Sequence, residues 1–180
     1  MSKNIKLGFQ ALMVSFVLET IIMIFFKENS YNLSFFSFAF HSLNMIIFIL
    51  FSVIFKDPVK SRVTNFKKGL SVSLIFSFFI SLYFFSYHKW INPNFLLSKK
   101  EELTEMILTD QMLDKAKNQI IKNPDYYNGK SADDLIEMQQ ENIEEFLQPS
   151  KVFPISLFGF LLIGIIFTAI LSILNYSFNK

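Results

Sequence analysis

The last apolar stretch of the chain, residues 152–178, reads VFPISLFGFLLIGIIFTAILSILNYSF and contains no charged side chain. An α-helix rises about 1.5 Å per residue, so roughly 20 apolar residues cross the hydrocarbon core of a bilayer, which is about 30 Å thick. The stretch is therefore predicted to be a transmembrane helix. Three earlier stretches have a comparable length and an apolar composition; they are residues 7–26, 33–55 and 69–87.

Four such stretches predict an integral membrane protein. Backbone N–H and C=O groups find no water in hydrocarbon, so each spanning segment must be a helix that satisfies its own hydrogen bonds. Phenylalanine supplies 24 of the 180 residues and 52% of the chain is hydrophobic, which is more apolar surface than a soluble core would bury. The predicted fold class is all-α, a four-helix transmembrane bundle with an extramembrane helical hairpin between spans three and four.

Basic residues predict the orientation of the spans. Lys3 and Lys6 precede the first span, whereas the connection between spans one and two contains a single basic residue, Lys27. Lys and Arg are enriched in cytoplasmic loops. We therefore expect both termini and the loop of residues 56–68 to be cytoplasmic. That loop contains Lys56, Lys60, Arg62, Lys67 and Lys68.

The same pattern divides the chain into three parts. Residues 1–87 are expected to hold spans one to three, residues 88–151 to form an acidic hairpin outside the membrane, and residues 152–180 to form the fourth span. The net charge of +2 averages a basic inner rim with an acidic outer segment. A nucleic-acid partner is therefore not predicted.

Residues 88–151 have the composition of a water-exposed helical segment. They contain eight lysines against twelve Asp or Glu, a formal charge of −4. Turn-forming residues at Asn123-Pro124-Asp125 and at Asn128-Gly129 separate two stretches with apolar residues at helical spacing. Ser131 followed by Asp134 is typical of a helix N-cap. The apolar stripe residues are Leu103, Met106, Ile107, Leu113, Ala116 and Ile120 in the first stretch, and Leu135, Met138, Ile143, Phe146 and Leu147 in the second.

The acidic side of this hairpin is the candidate partner surface, composed of Glu101, Glu102, Glu105, Asp133 and Asp134. One interpretation is a lid on the bundle, because an apolar stripe at helical spacing serves internal packing. The other is a docking surface for another envelope protein or an interfacial lipid contact. The acidic face argues against lying flat on an anionic leaflet.

Small residues predict the helix faces that pack within the membrane. Small side chains let two backbones approach where lipid supplies no hydrophobic drive for association. Such residues recur at four-residue spacing on the third span and on the fourth. They are Gly69, Ser73, Ser77 and Ser81, and Gly164, Thr168 and Ser172. On the first span Gly8, Ala11 and Ser15 form a similar line that leads to Glu19.

Glu19 is the candidate site residue inside the membrane, because an ionisable group there is costly and is usually paired. His41 lies at a similar depth on the second span, with Asn44 about one turn further along. A Glu19–His41 pair is expected to be either a static interhelical hydrogen bond or a proton or cation relay. A third alternative is a neutral, protonated Glu19 without a His41 contact, which desolvation also favours.

The composition predicts no catalytic, cofactor-binding or metal site. The chain has no cysteine, which removes disulfides and thiolate chemistry, and its two histidines are far apart in sequence. Lys3 and Lys6 before an apolar run also suit a signal peptide. Glu19 and the lack of a small-residue cleavage site favour an uncleaved signal anchor.

Several short motifs resemble a known family. They are the basic connection at Arg62 followed by Phe66 and Gly69, the exit Ile91-Asn92-Pro93, the run Gly129-Lys130-Ser131-Ala132-Asp133-Asp134, Pro149, and a last span that contains Gly164 before a terminal lysine. On these residues the chain resembles the domain-of-unknown-function 4199 family, small four-span proteins common in Bacteroidota with no established activity. The resemblance implies a bacterial inner membrane and a periplasmic insert, and it carries over no catalytic residue.

Three function classes are compatible with the sequence. The first is a non-enzymatic accessory or assembly subunit of an envelope complex, whose partners are the lipid bilayer and other membrane proteins or a second copy of the chain. The second is a small proton-coupled transporter or carrier that uses Glu19 and His41. The third is a lipid-processing enzyme or a helper of lipid-linked glycan synthesis, for which only the pairs Asp133-Asp134 and Glu144-Glu145 supply neighbouring carboxylates.

Overall fold

The computed structural model describes residues 3–25, 30–55, 61–127 and 129–178. Several residues used in the sequence predictions lie outside these ranges; they are Phe26, Lys27, Lys56, Lys60, Asn128 and Lys180.

Every secondary-structure element in the described residues is a helix, and the predicted all-α class is confirmed. Four helices are long and apolar enough to cross a membrane, which makes this a multi-pass membrane protein. The helices are α1 (Lys3–Phe25), α2 (Ser30–Leu50), α3 (Arg62–Ser86), α4 (Pro93–Ile107), α5 (Asp110–Lys122), α6 (Ala132–Phe146) and α7 (Pro149–Phe178). Short π-helical segments continue α2 over Phe51–Phe55 and α3 over Tyr87–Ile91.

The chain divides into two compact units. The first, here called the bundle unit, contains Met1–Tyr83 and Pro154–Lys180, and the second, the insert unit, contains Phe84–Phe153. The insert unit thus extends a few residues beyond the predicted 88–151 at both ends. The last helix begins at Pro149, ahead of the predicted boundary at residue 152, because proline is well accommodated in a first helical turn.

The four bundle helices alternate in direction. The start of α1, the end of α2, the start of α3 and the end of α7 meet at one end of the unit. The contacts there are a hydrogen bond from Ser52 Oγ to Asn4 Oδ1 (3.3 Å), one from Asn175 Nδ2 to the Val53 carbonyl (3.1 Å), and the Arg62 guanidinium 4.4 Å from the Tyr176 ring centroid. This arrangement is what a chain of four successive spans requires.

Large side chains fill the middle of the bundle unit. Phe160 of α7 packs on Phe38 of α2 and on Phe76 of α3, with ring centroids 4.6 Å and 5.9 Å away. Phe76 and Phe160 are fully buried, as are Met45 and Ile49 of α2. Helices α2, α3 and α7 therefore contribute the centre of the core, and α1 packs on α2 and α3.

The first arm of the predicted hairpin is not one helix. It breaks at Thr109, whose backbone is extended (φ −85°, ψ 148°), and α5 restarts at Asp110. A threonine followed by an acidic residue is a helix-start signal that the apolar spacing obscured. Helix α6 packs against both α5 and α4 and so remains the second arm.

The core of the insert unit is small. Ala116 of α5 and Leu135 and Ile136 of α6 are buried together. Partly buried Met112, Ile120, Tyr127 and Ala132 surround them. Three members of the predicted stripes are instead exposed; they are Met106, Met138 and Phe146.

Candidate functional site

The polar centre of the bundle unit lies between α1 and α2, where Ser37 and His41 meet Glu19. Ser37 Oγ donates a hydrogen bond to Glu19 Oε2 over 2.7 Å. His41 Nε2 lies 2.9 Å from the same oxygen, a bond that His41 donates when Nε2 carries a proton. The His41 side chain is fully buried and that of Glu19 is 9% exposed. The structure therefore places Glu19 and His41 in direct contact.

Helical spacing explains why two α2 residues reach one carboxylate. Ser37 and His41 are four residues apart and lie one above the other on the same face of α2. Sequence reasoning missed Ser37, although its spacing from His41 was a usable signal. The result is a buried carboxyl group with two hydrogen-bond partners, which lowers the cost of keeping it there.

Asn44 does not join the carboxylate. Its Nδ2 donates to the Ala11 carbonyl and to Ser15 Oγ, both over 2.8 Å. Ala11 is fully buried, and its small side chain lets α2 come close enough for Asn44 to reach the α1 backbone. Asn44 therefore fastens the two helices about one turn away from Glu19.

This cluster can hold one proton in two ways. A proton on Glu19 leaves a neutral carboxylic acid beside a neutral imidazole, and a proton on His41 leaves an ion pair. Among the described residues, no group of three His, Asp or Glu side chains lies together as metal ligands would.

The small residues of α3 and α7 face each other. A Cβ built on Gly164 lies 2.7 Å from Ser73 Cβ, and one built on Gly69 lies 2.7 Å from Thr168 Cγ2. Ser77 is fully buried, with its Oγ 3.8 Å from Met45 Sδ. Ser81 is also fully buried, and Ser172 Oγ donates to the Thr168 carbonyl over 2.7 Å. All the predicted packing residues are therefore buried; Gly69, Ser73, Gly164 and Thr168 meet between α3 and α7, whereas the contact of Ser77 is with α2.

Asn175 is a second polar link that sequence reasoning missed. It is 3% exposed and bonds the carbonyl of Val53, which lies in the π-helical end of α2. Carbonyls near a helix end lack intrahelical partners. A side-chain amide from α7 thus satisfies one of them inside the bundle.

The predicted partner surface has two separate parts. Glu101, Glu102 and Glu105 lie on α4, whereas Asp133 and Asp134 lie at the start of α6. Lys100, next to Glu101, pairs with Glu144 over 2.7 Å. This pair places the acidic residues of α4 near the end of α6. Asp133 lies at the start of α6, eleven residues from Glu144, or about 16 Å along the helix. The structure does not bring the two acidic groups together.

Asp134 has a structural role in addition to its charge. Its Oδ2 accepts hydrogen bonds from the backbone N–H of Ser131 (2.6 Å) and from Ser131 Oγ (2.8 Å), and Ser131 Oγ accepts from the Asp134 N–H (3.1 Å). This reciprocal capping box confirms the predicted N-cap. The bond from the Ser131 backbone, followed by that from its hydroxyl, holds the pKa of the Asp134 carboxyl below its usual value.

Several other acids of the insert unit are paired with lysines. Glu102 bonds Lys99, Asp114 bonds Lys117, and Glu145 bonds Lys151. The bond from Lys151 lowers the pKa of the Glu145 carboxyl. Glu101 and Glu105 are exposed and form no ion pair within the described part of the chain.

A family model described as "Protein of unknown function (DUF4199)" matches residues 6–175 of the chain. No curated protein and no solved structure matches it.

Proposed function

The chain belongs to the DUF4199 family of proteins of unknown function, and we propose that it is a non-enzymatic accessory or assembly subunit of an envelope membrane complex. It acts through the insert unit, which presents its charged surface to a partner membrane protein or to a second copy of the chain.

The observation that carries this proposal is the pair of exposed carboxylates on α4. Glu101 and Glu105 are four residues apart, so they lie on the same helix face, and neither is neutralised by a described lysine. Other carboxylates of the unit, among them those of Asp114, Asp134, Glu144 and Glu145, are used in ion pairs or in the α6 cap. Glu137 and Glu141 on α6 are also exposed and lack a described ion pair, so they serve below as the matched control. Two uncompensated charges on one face suit a basic partner surface, since complementary charge supplies specificity and faster association.

Exposed apolar residues of the insert unit support the same proposal. Leu97, Met106 and Leu108 are 57%, 54% and 61% exposed on α4 and the residue that follows it. Large apolar side chains at an exposed surface are typical of interaction sites when polar residues surround them. A contact there would combine apolar burial with the two carboxylates.

We further propose a bacterial inner membrane, cytoplasmic termini and a periplasmic insert unit. The support is the excess of Lys and Arg at the ends of the spans that meet at one side of the bundle. A periplasmic location would give the insert unit access to partners in the envelope.

Charge reversal within the full-length protein tests the role of α4. The test variant is Glu101→Lys with Glu105→Lys, and the matched control is Glu137→Lys with Glu141→Lys. The control pair has the same spacing on α6, is also exposed and also lacks a described ion pair. Proteins that co-purify from the native membrane in mild detergent are quantified by mass spectrometry.

The proposal expects the α4 variant to lose a specific partner by about tenfold, while the α6 control retains it and both variants insert into the membrane at the wild-type level. If both variants lost the partner equally, the loss would come from the change in net charge and would not identify α4 as the contact. Retention in both would remove α4 as the partner surface.

A proton or cation carrier is the second candidate function, and one observation favours it. Glu19 is hydrogen-bonded to Ser37 and His41 while it is nearly buried, so it is an ionisable group of a spanning helix beside an imidazole. Glu19→Gln and His41→Gln in proteoliposomes with an internal pH dye test this candidate. Proton uptake that requires both residues would favour transport over the subunit role.

A further inference from the structure

A groove runs along the outer surface of the bundle unit between α1 and α2. Its volume is about 680 Å³, within the range of small-molecule sites. Apolar side chains line most of it, with Phe9, Met13 and Val14 on one wall and Ile47 and Phe51 on the other. This surface is distinct from the buried contact of Glu19 with His41.

The length of the groove along α1 is close to the thickness of the hydrocarbon in one membrane leaflet. It extends from Lys6 to Val14 along α1, which is about 12 Å at 1.5 Å per residue. Half of the roughly 30 Å hydrocarbon core is about 15 Å. An acyl chain that enters at the end near Lys6 would therefore reach the far end of the groove near the bilayer midplane.

Among the residues that the structure describes, one charged side chain lines the groove, and it lies at the N-terminal end of α1. Lys6 is exposed and is in no ion pair within the described ranges, and Gln10 lies one turn further along. The first turn of α1 contains no acidic residue. A lysine at the edge of hydrocarbon extends its ammonium to the headgroup level, where an anion is its natural partner.

We propose that this groove binds one phospholipid with an anionic headgroup. One of its acyl chains lies between Val14 and Ile47, and its headgroup lies against the Lys6 ammonium with Gln10 as a hydrogen-bonding neighbour. Apolar depth and a single basic residue at the mouth are the two properties that such a lipid needs, and basic pockets between spans bind anionic headgroups in this way. A zwitterionic lipid would gain the apolar contact without the net charge.

Lipid titration of the full-length protein tests the site. Native mass spectrometry in a mild detergent measures the dissociation constant of the first bound dioleoylphosphatidylglycerol and, separately, of dioleoylphosphatidylcholine. Lys6→Gln removes the charge, and Val14→Trp places a large side chain in the groove. Lys67→Gln and Leu74→Trp are the matched controls, because both residues are exposed on α3 and neither lines the groove.

The proposal expects Lys6→Gln to weaken phosphatidylglycerol about fivefold and to leave phosphatidylcholine unchanged. Val14→Trp is expected to weaken the first site for both lipids, and the two α3 controls to change neither. The site is refuted if Lys67→Gln has the same effect as Lys6→Gln, which would indicate diffuse attraction to basic residues. It is also refuted if Val14→Trp leaves phosphatidylglycerol binding intact, which would indicate an anion held at Lys6 without an acyl chain in the groove.

Discussion

His41 Nε2 and Glu19 Oε2 lie 2.9 Å apart across the interface between two antiparallel helices, and both side chains are removed from lipid. Ser37 bonds the same carboxylate oxygen from one turn away. Each group lowers the cost of burying the other, because an unpartnered polar group in an apolar interior costs free energy. The effects of substituting Glu19 and His41 on the free energy of unfolding should therefore be coupled.

The first prediction concerns this coupling. Glu19→Leu and His41→Leu should each destabilise the bundle, and the double variant should be less destabilised than the sum of the two by about 1–3 kcal/mol, because the second change removes a group that the first left unpaired. Reversible unfolding in mixed micelles measures the four free energies. Ser42→Ala is the control partner for Glu19→Leu, since Ser42 is buried on α2 without a described bond to Glu19 and should add independently. An additive Glu19–His41 cycle would contradict the prediction.

The second prediction concerns the contact of Gly164 with Ser73. Gly164→Ala should destabilise the bundle by about 1–3 kcal/mol, since the added methyl overlaps Ser73 and forces α3 and α7 apart. Thermal unfolding in detergent measures the loss. Ser73→Gly should restore part of it in the double variant, because it removes the side chain that the methyl meets.

Gly159→Ala is the control on the same helix. A Cβ there meets Phe38 Cζ at 3.5 Å, an ordinary contact, so its unfolding temperature should remain near that of the unchanged protein. If both glycines respond alike, the loss would come from helix backbone effects and the contact with Ser73 would be unimportant.

The third prediction concerns the acid sensitivity of α6. The Asp134 carboxylate is bonded by Ser131 in the folded unit, so its pKa is lowered there relative to the ordinary value of 3.8. A lowered pKa means that the stabilisation is present above pH 3.8 and is lost as the pH falls through the lower folded value. Hydrogen exchange of the amides at the start of α6, corrected for the intrinsic pH dependence of exchange, should show protection lost in this acidic window.

Asp134→Asn should remove that part of the pH dependence, because the amide does not titrate. Asp125→Asn is the control, as Asp125 is exposed in the turn before α6 and takes part in no described cap. An unchanged acid transition in Asp134→Asn would assign the effect to other carboxylates.

The fourth prediction concerns orientation. The chain has no cysteine, so single-cysteine variants report one position each. Val63→Cys at the start of α3 and Lys130→Cys before α6 should be labelled from opposite sides of the membrane by an impermeant maleimide in intact cells and in inverted vesicles. We expect Lys130→Cys to be labelled from outside the cell and Val63→Cys to be labelled only from the inside. Labelling of both positions from one side would overturn the proposed topology.

Much of the fold follows from local sequence. Hydropathy and length identify four spanning helices, since each must satisfy its own backbone in lipid, and four-residue spacing identifies the small-residue faces of α3 and α7. Ser131 and Asp134 form a cap because their reciprocal bonds depend on positions only three residues apart. The break at Thr109 was missed because the apolar spacing on either side of it continues almost unchanged.

By itself the sequence determined which residues are too costly to face lipid, and it identified Glu19 and His41 for that reason. Only the tertiary structure decided that Ser37 completes their contact, that Asn44 bonds the α1 backbone instead, and that Asn175 reaches Val53. These outcomes depend on how far each helix is rotated and shifted against its neighbour. Close packing of many side chains at once determines that rotation and shift, so no local pattern of residues encodes them.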